Sequence, residues 1–518
     1  MSSFHPSSFI LHPSSFILLL PNVGFMEFAI TLDNSSPVPL HRQIYNEVRH
    51  SILNGRLSAG SRLPSSRTLA ASLGISRSTV TQSYDQLVSE GYLQTVVGSG
   101  TIVSEYLPDD LLSGSATKTA RSPAPGKQDK TLISELSIYG ASVADAAPLD
   151  TDEVQRSINF SVGIPALDQF PMKTWRRLLL RHCRDSPEKL LGYATGSKGE
   201  RVLREAISVY LARSRAVRCD PDQVLIVNGS QQAIDLVTKL LIDYGDTVAI
   251  ENPGYLGARR VFLAQGAKLV PVPVDGSGMV IEKLPSLLTR NVKLIYLTPS
   301  HQFPTGAVLS LSRRLELIAR TAGTGTLIIE DDYDSEYRYC SRPIPALQGL
   351  DENENVIYIG TFSKILFPSL RVGYMVVPKS LSRVFARARW LADRQSPTLE
   401  QLVLADFINE GFLDRHLRCM RALYDRRRQV LVKALQQYFD DRVTIMGDNT
   451  GMHLMVKLST RFSTDQVIER ASEAGIGISS AEIYYLKGAQ PGEFVFGYAN
   501  LTERKIQEGV RRLAKALK

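Results

Sequence analysis

The sequence predicts two folded units of different class: a small helical unit with a β-hairpin near the N-terminus, and a large α/β unit on a mostly parallel sheet. Three observations predict them. From Pro39 the apolar residues Leu40, Ile44, Val48 and Ile52 recur at helical spacing and lead into two further helical patterns separated by a tight turn. Residues 106–131 are rich in Ser, Thr, Pro, Gly and charge and have no apolar period. Beyond them, strand-like apolar runs alternate with amphipathic helical segments to the end of the chain.

The composition sets limits. The chain has 518 residues, 43% hydrophobic and 22% charged, which suits a globular protein of two or more units. A net charge of +8 is compatible with an anionic partner. Cys183, Cys219, Cys340 and Cys419 are scattered without the paired spacing of a zinc site or a disulfide framework, so they read as reduced thiols in a cytoplasm, with no metal site. No stretch approaches the ~18 unbroken apolar residues of a membrane helix.

Residues 1–25, MSSFHPSSFILHPSSFILLLPNVGF, repeat HPSSFIL and contain no Lys or Arg. Pro13 and Pro21 break the apolar part, so the pattern is not that of a secretory signal. It reads as a disordered, possibly non-native tail, because Met26 stands where patterned sequence begins.

Residues 26–105 form the first unit. LPSSRTLAASLGISRSTVTQSYDQLVSEGYL predicts a short helix, a turn at Gly74 and a second helix capped by Ser76; YLQTVVGSGTIVSE then predicts a hairpin around Gly98. A helix-turn-helix reads DNA when one face is basic and the second helix starts with groups that reach base edges. Between Val48 and Tyr84 there are five arginines, at 49, 56, 62, 67 and 77, and no acid, although Glu27 to Glu105 as a whole carries six arginines against six acids. The charge is sorted to one stretch. LPSSRTLAASLGISRSTV, EGYL and GSGTIV resemble the winged helix of the GntR family of regulators. That resemblance implies binding to a double-stranded DNA operator, with contacts from Arg67, Ser76, Arg77, Thr79 and, at the wing tip, Gly98.

Residues 106–131 read as a linker and 132–518 as the α/β unit, with QVLIV, DTVAIEN, KLIYLTP, TLIIEDDY, NVIYIG and RVGYMVV as strands. In such sheets the ligand crevice lies beyond the carboxyl ends of the strands. Asp331 and Tyr333 follow one strand and Thr361, Ser363 and Lys364 another, so they converge on one crevice. A partly desolvated lysine can form a Schiff base with an aldehyde, and pyridoxal phosphate is such an aldehyde. It needs a carboxylate at its ring nitrogen, an aromatic face and an anion cradle. Asp331 can supply the first and Tyr255 the second, with Tyr333 at the phenolic oxygen. Gly229, Ser230 and Gln231 at a strand-to-helix turn, with Thr361, Ser363 and Arg371, can supply the third. Each residue taken singly has an ordinary structural explanation; together, in this order, they point to one site. A nucleotide loop is excluded, because GYATGSKGE lacks the four-residue gap before Gly-Lys.

Over nearly four hundred residues this region resembles the fold type I aminotransferases. A GntR-like winged helix, a linker and an aminotransferase-like unit together resemble the MocR-type regulators, and TPSHQFPTG, EDDYDSEY and GTFSK are similar to that family's motifs. The resemblance implies Lys364 as the Schiff-base lysine, Asp331 at the pyridine nitrogen, Tyr333 at the phenolic oxygen, Tyr255 on the ring, and Ser230, Gln231, Thr361 and Arg371 at the phosphate. It also implies a homodimer exchanging its DNA-binding units, with Tyr193 reaching the partner's phosphate. Two positions depart from ordinary aminotransferases. Phe303 stands where an asparagine contacts the phenolic oxygen, leaving His301 and Gln302 as candidates for that contact. Val495 stands where an arginine clamps the substrate carboxylate, and EFVFGYANL contains no arginine. The function expected is a pyridoxal phosphate-dependent transcriptional regulator sensing an amine or amino-acid effector or the cofactor itself; the alternative is an active aminotransferase acting on an amino acid.

Overall fold

The computed structural model describes residues 30–96, 100–107, 136–144, 156–185, 187–193, 196–284, 292–339 and 344–518. Gly98, expected at a wing tip, lies outside them, as do residues 1–25 and 108–131. Two compact units form, dividing between Lys127 and Gln128.

The first unit contains helices α1 (Leu40–Leu53), α2 (Ser66–Leu73) and α3 (Arg77–Ser89), followed by strands β1 (Leu93–Val96) and β2 (Gly100–Val103). Local chemistry sets each boundary. Ser65 accepts from Thr68 N at 3.1 Å and caps α2, which ends at Gly74 in the left-handed region, φ 65°. Ser76 accepts from Thr79 N at 3.2 Å and starts α3. Antiparallel pairing of β1 and β2, Leu93 opposite Val103, makes the wing. Ile44, Val48 and Ile52 are buried with Leu69, Val80 and Leu87, whereas Leu40, at the first turn of α1, is only half-buried.

The second unit centres on an eight-stranded sheet of order β4-β11-β10-β9-β8-β5-β6-β7, made by β4 (Val224–Val227), β5 (Thr247–Asn252), β6 (Lys268–Asp275), β7 (Gly278–Met279), β8 (Val292–Leu297), β9 (Leu327–Asp332), β10 (Val356–Thr361) and β11 (Gly373–Val376). The sheet is mostly parallel, but β11, read from RVGYMVV, runs antiparallel to both β10 and β4. Only twelve positions separate Thr361 from Gly373, too few for a helical crossover, so the chain turns back on itself. Both faces of the sheet are covered. Val224 and Ile226 pack with Tyr210, Phe407 and Tyr424 on one side, Leu225 and Val227 with Ile234, Phe262 and Phe385 on the other. A short parallel pair joins β3 (Ile158–Asn159) to β14 (Ile476–Gly477), and a four-stranded sheet follows in the order β12 (Val443–Met446), β13 (His453–Leu458), β16 (Glu493–Gly497), β15 (Ser479–Ser480). Among the described residues no helix is long and apolar enough to cross a membrane.

The α/β unit buries charge beneath its crevice. Arg215 Nε donates to Asp332 Oδ2 at 2.7 Å, and Tyr358 donates to the same oxygen at 2.6 Å, with the ion pair almost wholly enclosed. Burial works against the Asp332 carboxylate, yet Arg215 and Tyr358 hold its pKa below the usual range. Removing one partner leaves a buried unpaired charge, so Asp332→Ala is expected to destabilise this unit by about 3–5 kcal/mol. Urea unfolding followed by tryptophan fluorescence reads that loss, because both tryptophans, Trp175 and Trp390, belong to this unit.

Candidate functional site

The carboxyl ends of β4, β5, β9 and β10 bring their following residues to one crevice. Lys364, just after β10, donates from Nζ to Gly163 O at 3.0 Å. Gly163 has φ 75°, where other residues are strained, and a Cβ there would lie 2.6 Å from Nζ and displace the amine. Burial lowers the pKa of that amine; Asp334 and Asp331 oppose the shift and Arg371 adds to it. A readily deprotonated amine is a nucleophile.

Asp331, the penultimate residue of β9, accepts from Tyr296 Oη at 2.7 Å on Oδ2, while its Oδ1 is buried without a partner. Burial pushes its pKa up to about 7, the Tyr296 hydrogen bond opposing. A buried acceptor without a donor is costly, which suits a site that receives one from outside the chain.

The residues expected to cradle an anion lie where β4 meets the helix Ser230–Leu241. Gly229 has φ 103°, and a Cβ there would lie 3.2 Å from Arg371 Nη2. This close approach sets the Arg371 guanidinium beside a helix N-terminus whose first amides carry positive dipole. Arg371 itself takes φ 51° and donates to Asn228 O at 2.5 Å. The Asn228 side chain bonds Asp393 and Ser396, at 2.5 and 2.8 Å, at the end of the helix Ser382–Asp393. Thr361 Oγ1 accepts from Ser363 N at 3.2 Å, and Ser363 Oγ is buried without a partner. Gln231 Oε1 accepts from Tyr255 Oη at 3.3 Å, and the Tyr255 ring meets the Phe303 ring edge-on at 5.9 Å. Burial pushes the Tyr255 hydroxyl up to about 12.

Tyr333 Oη donates to His301 O at 2.9 Å and lies 3.1 Å from His301 Nδ1, which also meets both Asp334 oxygens at 2.9 and 3.0 Å. Gln302 is spent elsewhere: Nε2 donates to Pro253 O and Phe303 O, and Oε1 accepts from Thr305 N and Oγ1. Of the two residues that could replace the missing asparagine, only His301 touches Tyr333. His301, Asp334 and His453 form a buried cluster whose ligand-type atoms lie within 4.8 Å of one another. Burial, then the neighbouring His301, holds His453 well below the usual imidazole range and therefore neutral. Sequence reasoning missed Asp334 and His453 as part of the site, and also Glu251, which accepts from Thr298 and is pushed up to about 7 by burial. Asp334 stands inside the quoted EDDYDSEY motif and Glu251 inside the quoted DTVAIEN strand, which was the available signal.

Tyr193 stands apart from these contacts, an exposed ring 4.6 Å from the Arg394 guanidinium. In the first unit Arg67 and Arg77 are exposed, and Arg77 Nε reaches Ser66 Oγ at 3.5 Å. Ser76 and Thr79 bond each other at 2.8 Å and close the start of α3, so their hydroxyls serve the helix cap.

The class these features define is a GntR-type DNA-binding unit joined to an aminotransferase-fold unit. Residues 40–103 match the family "Bacterial regulatory proteins, gntR family" and residues 155–513 match "Aminotransferase class I and II". The chain is 41% identical to the "Probable rhizopine catabolism regulatory protein MocR" of Rhizobium meliloti, over 94% of this chain and 95% of that one. It is 32% identical to the "HTH-type transcriptional regulator TauR" of Rhodobacter capsulatus, over 92% and 96%. The chain belongs to the MocR-type family of transcriptional regulators. Among solved structures it is similar to a multiple substrate aminotransferase from Thermococcus profundus, TM-score 0.67, 28% identical, covering 73% of this chain and 96% of that one. LysN, the α-aminoadipate aminotransferase of Thermus thermophilus, solved with N-(5'-phosphopyridoxyl)-L-leucine, gives TM-score 0.65 and 31% identity over 70% and 92%.

The Asp331 carboxyl binds its proton more tightly folded than unfolded. Its contribution to stability is therefore full below its ordinary value of 3.8 and lost as pH rises towards about 7. Thermal unfolding of the cofactor-free protein between pH 4 and 7 is expected to show a fall in stability that Asp331→Asn reduces, the remainder coming from Glu251 and Glu336, also raised to about 7.

Proposed function

We propose that this chain is a pyridoxal phosphate-dependent transcriptional regulator, its first unit binding a double-stranded DNA operator and its second sensing an amine or amino-acid effector or the cofactor itself. The observation that carries the cofactor reading is the buried, unpartnered Asp331 Oδ1 in the same crevice as a pKa-lowered lysine and an anion cradle. The phosphopyridoxyl ligand in LysN supports it.

The residues present fit the group. When bound, pyridoxal phosphate supplies an aldehyde and an electron-withdrawing ring. Lys364 would hold the aldehyde carbon through Nζ, which burial keeps available for bonding. Asp331 Oδ1 would accept from the ring nitrogen, with Tyr296 fixing the carboxylate's other oxygen. Tyr333, oriented by His301, would donate to the phenolic oxygen. Tyr255 would face the ring, and Gly229, Ser230, Gln231, Thr361, Ser363 and Arg371 would surround the phosphate. In the first unit Arg67, Arg77 and the start of α3 would face the operator, with Gly98 at the wing.

The regulator is proposed to act in the cytoplasm as a homodimer that exchanges its DNA-binding units, Tyr193 reaching the partner's phosphate. Exposed Leu180, Leu191 and Leu391 support association of the second unit. A second reading, turnover of an amino acid by transamination, is favoured by the presence of both Lys364 and Asp331.

Two outcomes test these roles. The loaded protein is expected to be yellow, and Lys364→Ala to lose the visible band; an unchanged spectrum in that variant would sink the lysine assignment. Arg77→Ala is expected to weaken operator binding by roughly 1–3 kcal/mol at matched salt, measured by fluorescence anisotropy, while the visible band persists.

A further inference from the structure

The ground between Lys364 and β16 offers little to an anionic group. Lys364 Nζ rests on Gly163 O, and the strand leading to it lies against β16, with Gly497 N donating to Phe160 O at 3.0 Å. A Cβ on Gly497 would meet Ser161 O at 1.9 Å, so nothing larger than glycine separates the two segments. Val162 packs into a small apolar cluster with Met455, Val495, Tyr484 and Tyr485. From the cofactor side Phe303 closes the same wall, its ring 4.9 Å from Tyr484 and 5.3 Å from His453.

Among the described residues, the charged groups acting on the Lys364 amine are two acids and Arg371, and the nearby imidazole of His453 is neutral. Asp331 and Asp334 both act on the Lys364 amine, and His453 Nε2 meets Pro304 O at 3.1 Å. The neighbouring guanidinium groups have other work. Arg371 serves the cradle, and Arg259 donates to Ile483 O and Tyr485 O at 2.9 and 3.0 Å. Burial and then Arg215 lower the Arg338 pKa, with Asp332, Asp334 and Glu336 opposing. No residue of β16, Glu493-Phe494-Val495-Phe496-Gly497, is cationic. A carboxylate brought here would be desolvated against apolar side chains beside two acids, without a charge-assisted hydrogen bond to compensate. A primary amine meets the opposite field.

We propose that the effector of this pocket is a primary amine with a neutral tail and no α-carboxylate, and that amino acids are rejected by the missing cation on β16. The proposal rests on the reading of the Lys364 crevice as the pyridoxal phosphate site. Rejection is electrostatic, so amine and amino acid with the same tail are told apart.

The test is calorimetric titration of the full-length, pyridoxal phosphate-loaded protein with pairs that differ by one carboxylate: tyramine and tyrosine, isoamylamine and leucine, ethanolamine and serine. At least one amine is expected to bind about tenfold or more tighter than its amino acid, and Val495→Arg to narrow that ratio. Equal or reversed affinities in the unsubstituted protein overturn the proposal, as does binding by neither member of any pair. The Lys364-dependent visible band is recorded first. Its absence sinks the cofactor reading, whereas its presence with tightly bound amino acids sinks only this inference.

Discussion

A strand that ends in three consecutive buried acids constrains much of the second unit. Glu330, Asp331 and Asp332 close β9 and are all shielded from solvent. Alternation sends Glu330 and Asp332 to one face and Asp331 to the other. On the first face each acid has its own answer. Glu330 accepts from the amides of Leu347 and Gln348 at 2.9 and 3.0 Å and lies 3.5 Å from Arg314, while Asp332 takes Arg215 and Tyr358. Each of these two is therefore held by partners within the fold, although Asp332 Oδ1, like Asp331 Oδ1, is buried without one; the third acid belongs to the crevice.

The same economy shapes the rest of the crevice. Glycines at 163 and 229, both at positive φ, let backbone approach the Lys364 amine and the Arg371 guanidinium more closely than a side chain would allow without shifting them. Phe303, in place of a polar contact, joins the ring of Tyr255 to that of Tyr484 through edge-type contacts. Orientation of Tyr333 has passed to the His301 backbone and imidazole, which Asp334 steadies.

Much of this was legible in the sequence because it is local. The caps Ser65 and Ser76, the turn at Gly74 and the succession of strands follow from short-range chemistry. The residues converging after β9 and β10 follow from the rule that parallel strands deliver their carboxyl ends to one edge. What stayed hidden depends on distant pairing. The contact of Lys364 with Gly163 spans 201 positions, and the commitment of Gln302 to Pro253 spans 49. The reversal of β11 was hidden for another reason: RVGYMVV carries an apolar pattern that does not encode direction. His453 opens an apolar strand, where a lone histidine reads as ordinary core until His301 is placed beside it.

Asn228 gives the cradle a mechanical continuation. Its backbone oxygen takes Arg371, and its side chain bonds Asp393 and Ser396, on either side of Arg394, whose φ is 66°. Arg394 in turn covers the exposed rings of Tyr193 and Trp390. The residues around Arg371 and the helix N-terminus are thus tied by hydrogen bonds to the short segment between the helices Ser382–Asp393 and Thr398–Asn409, beside exposed aromatic rings.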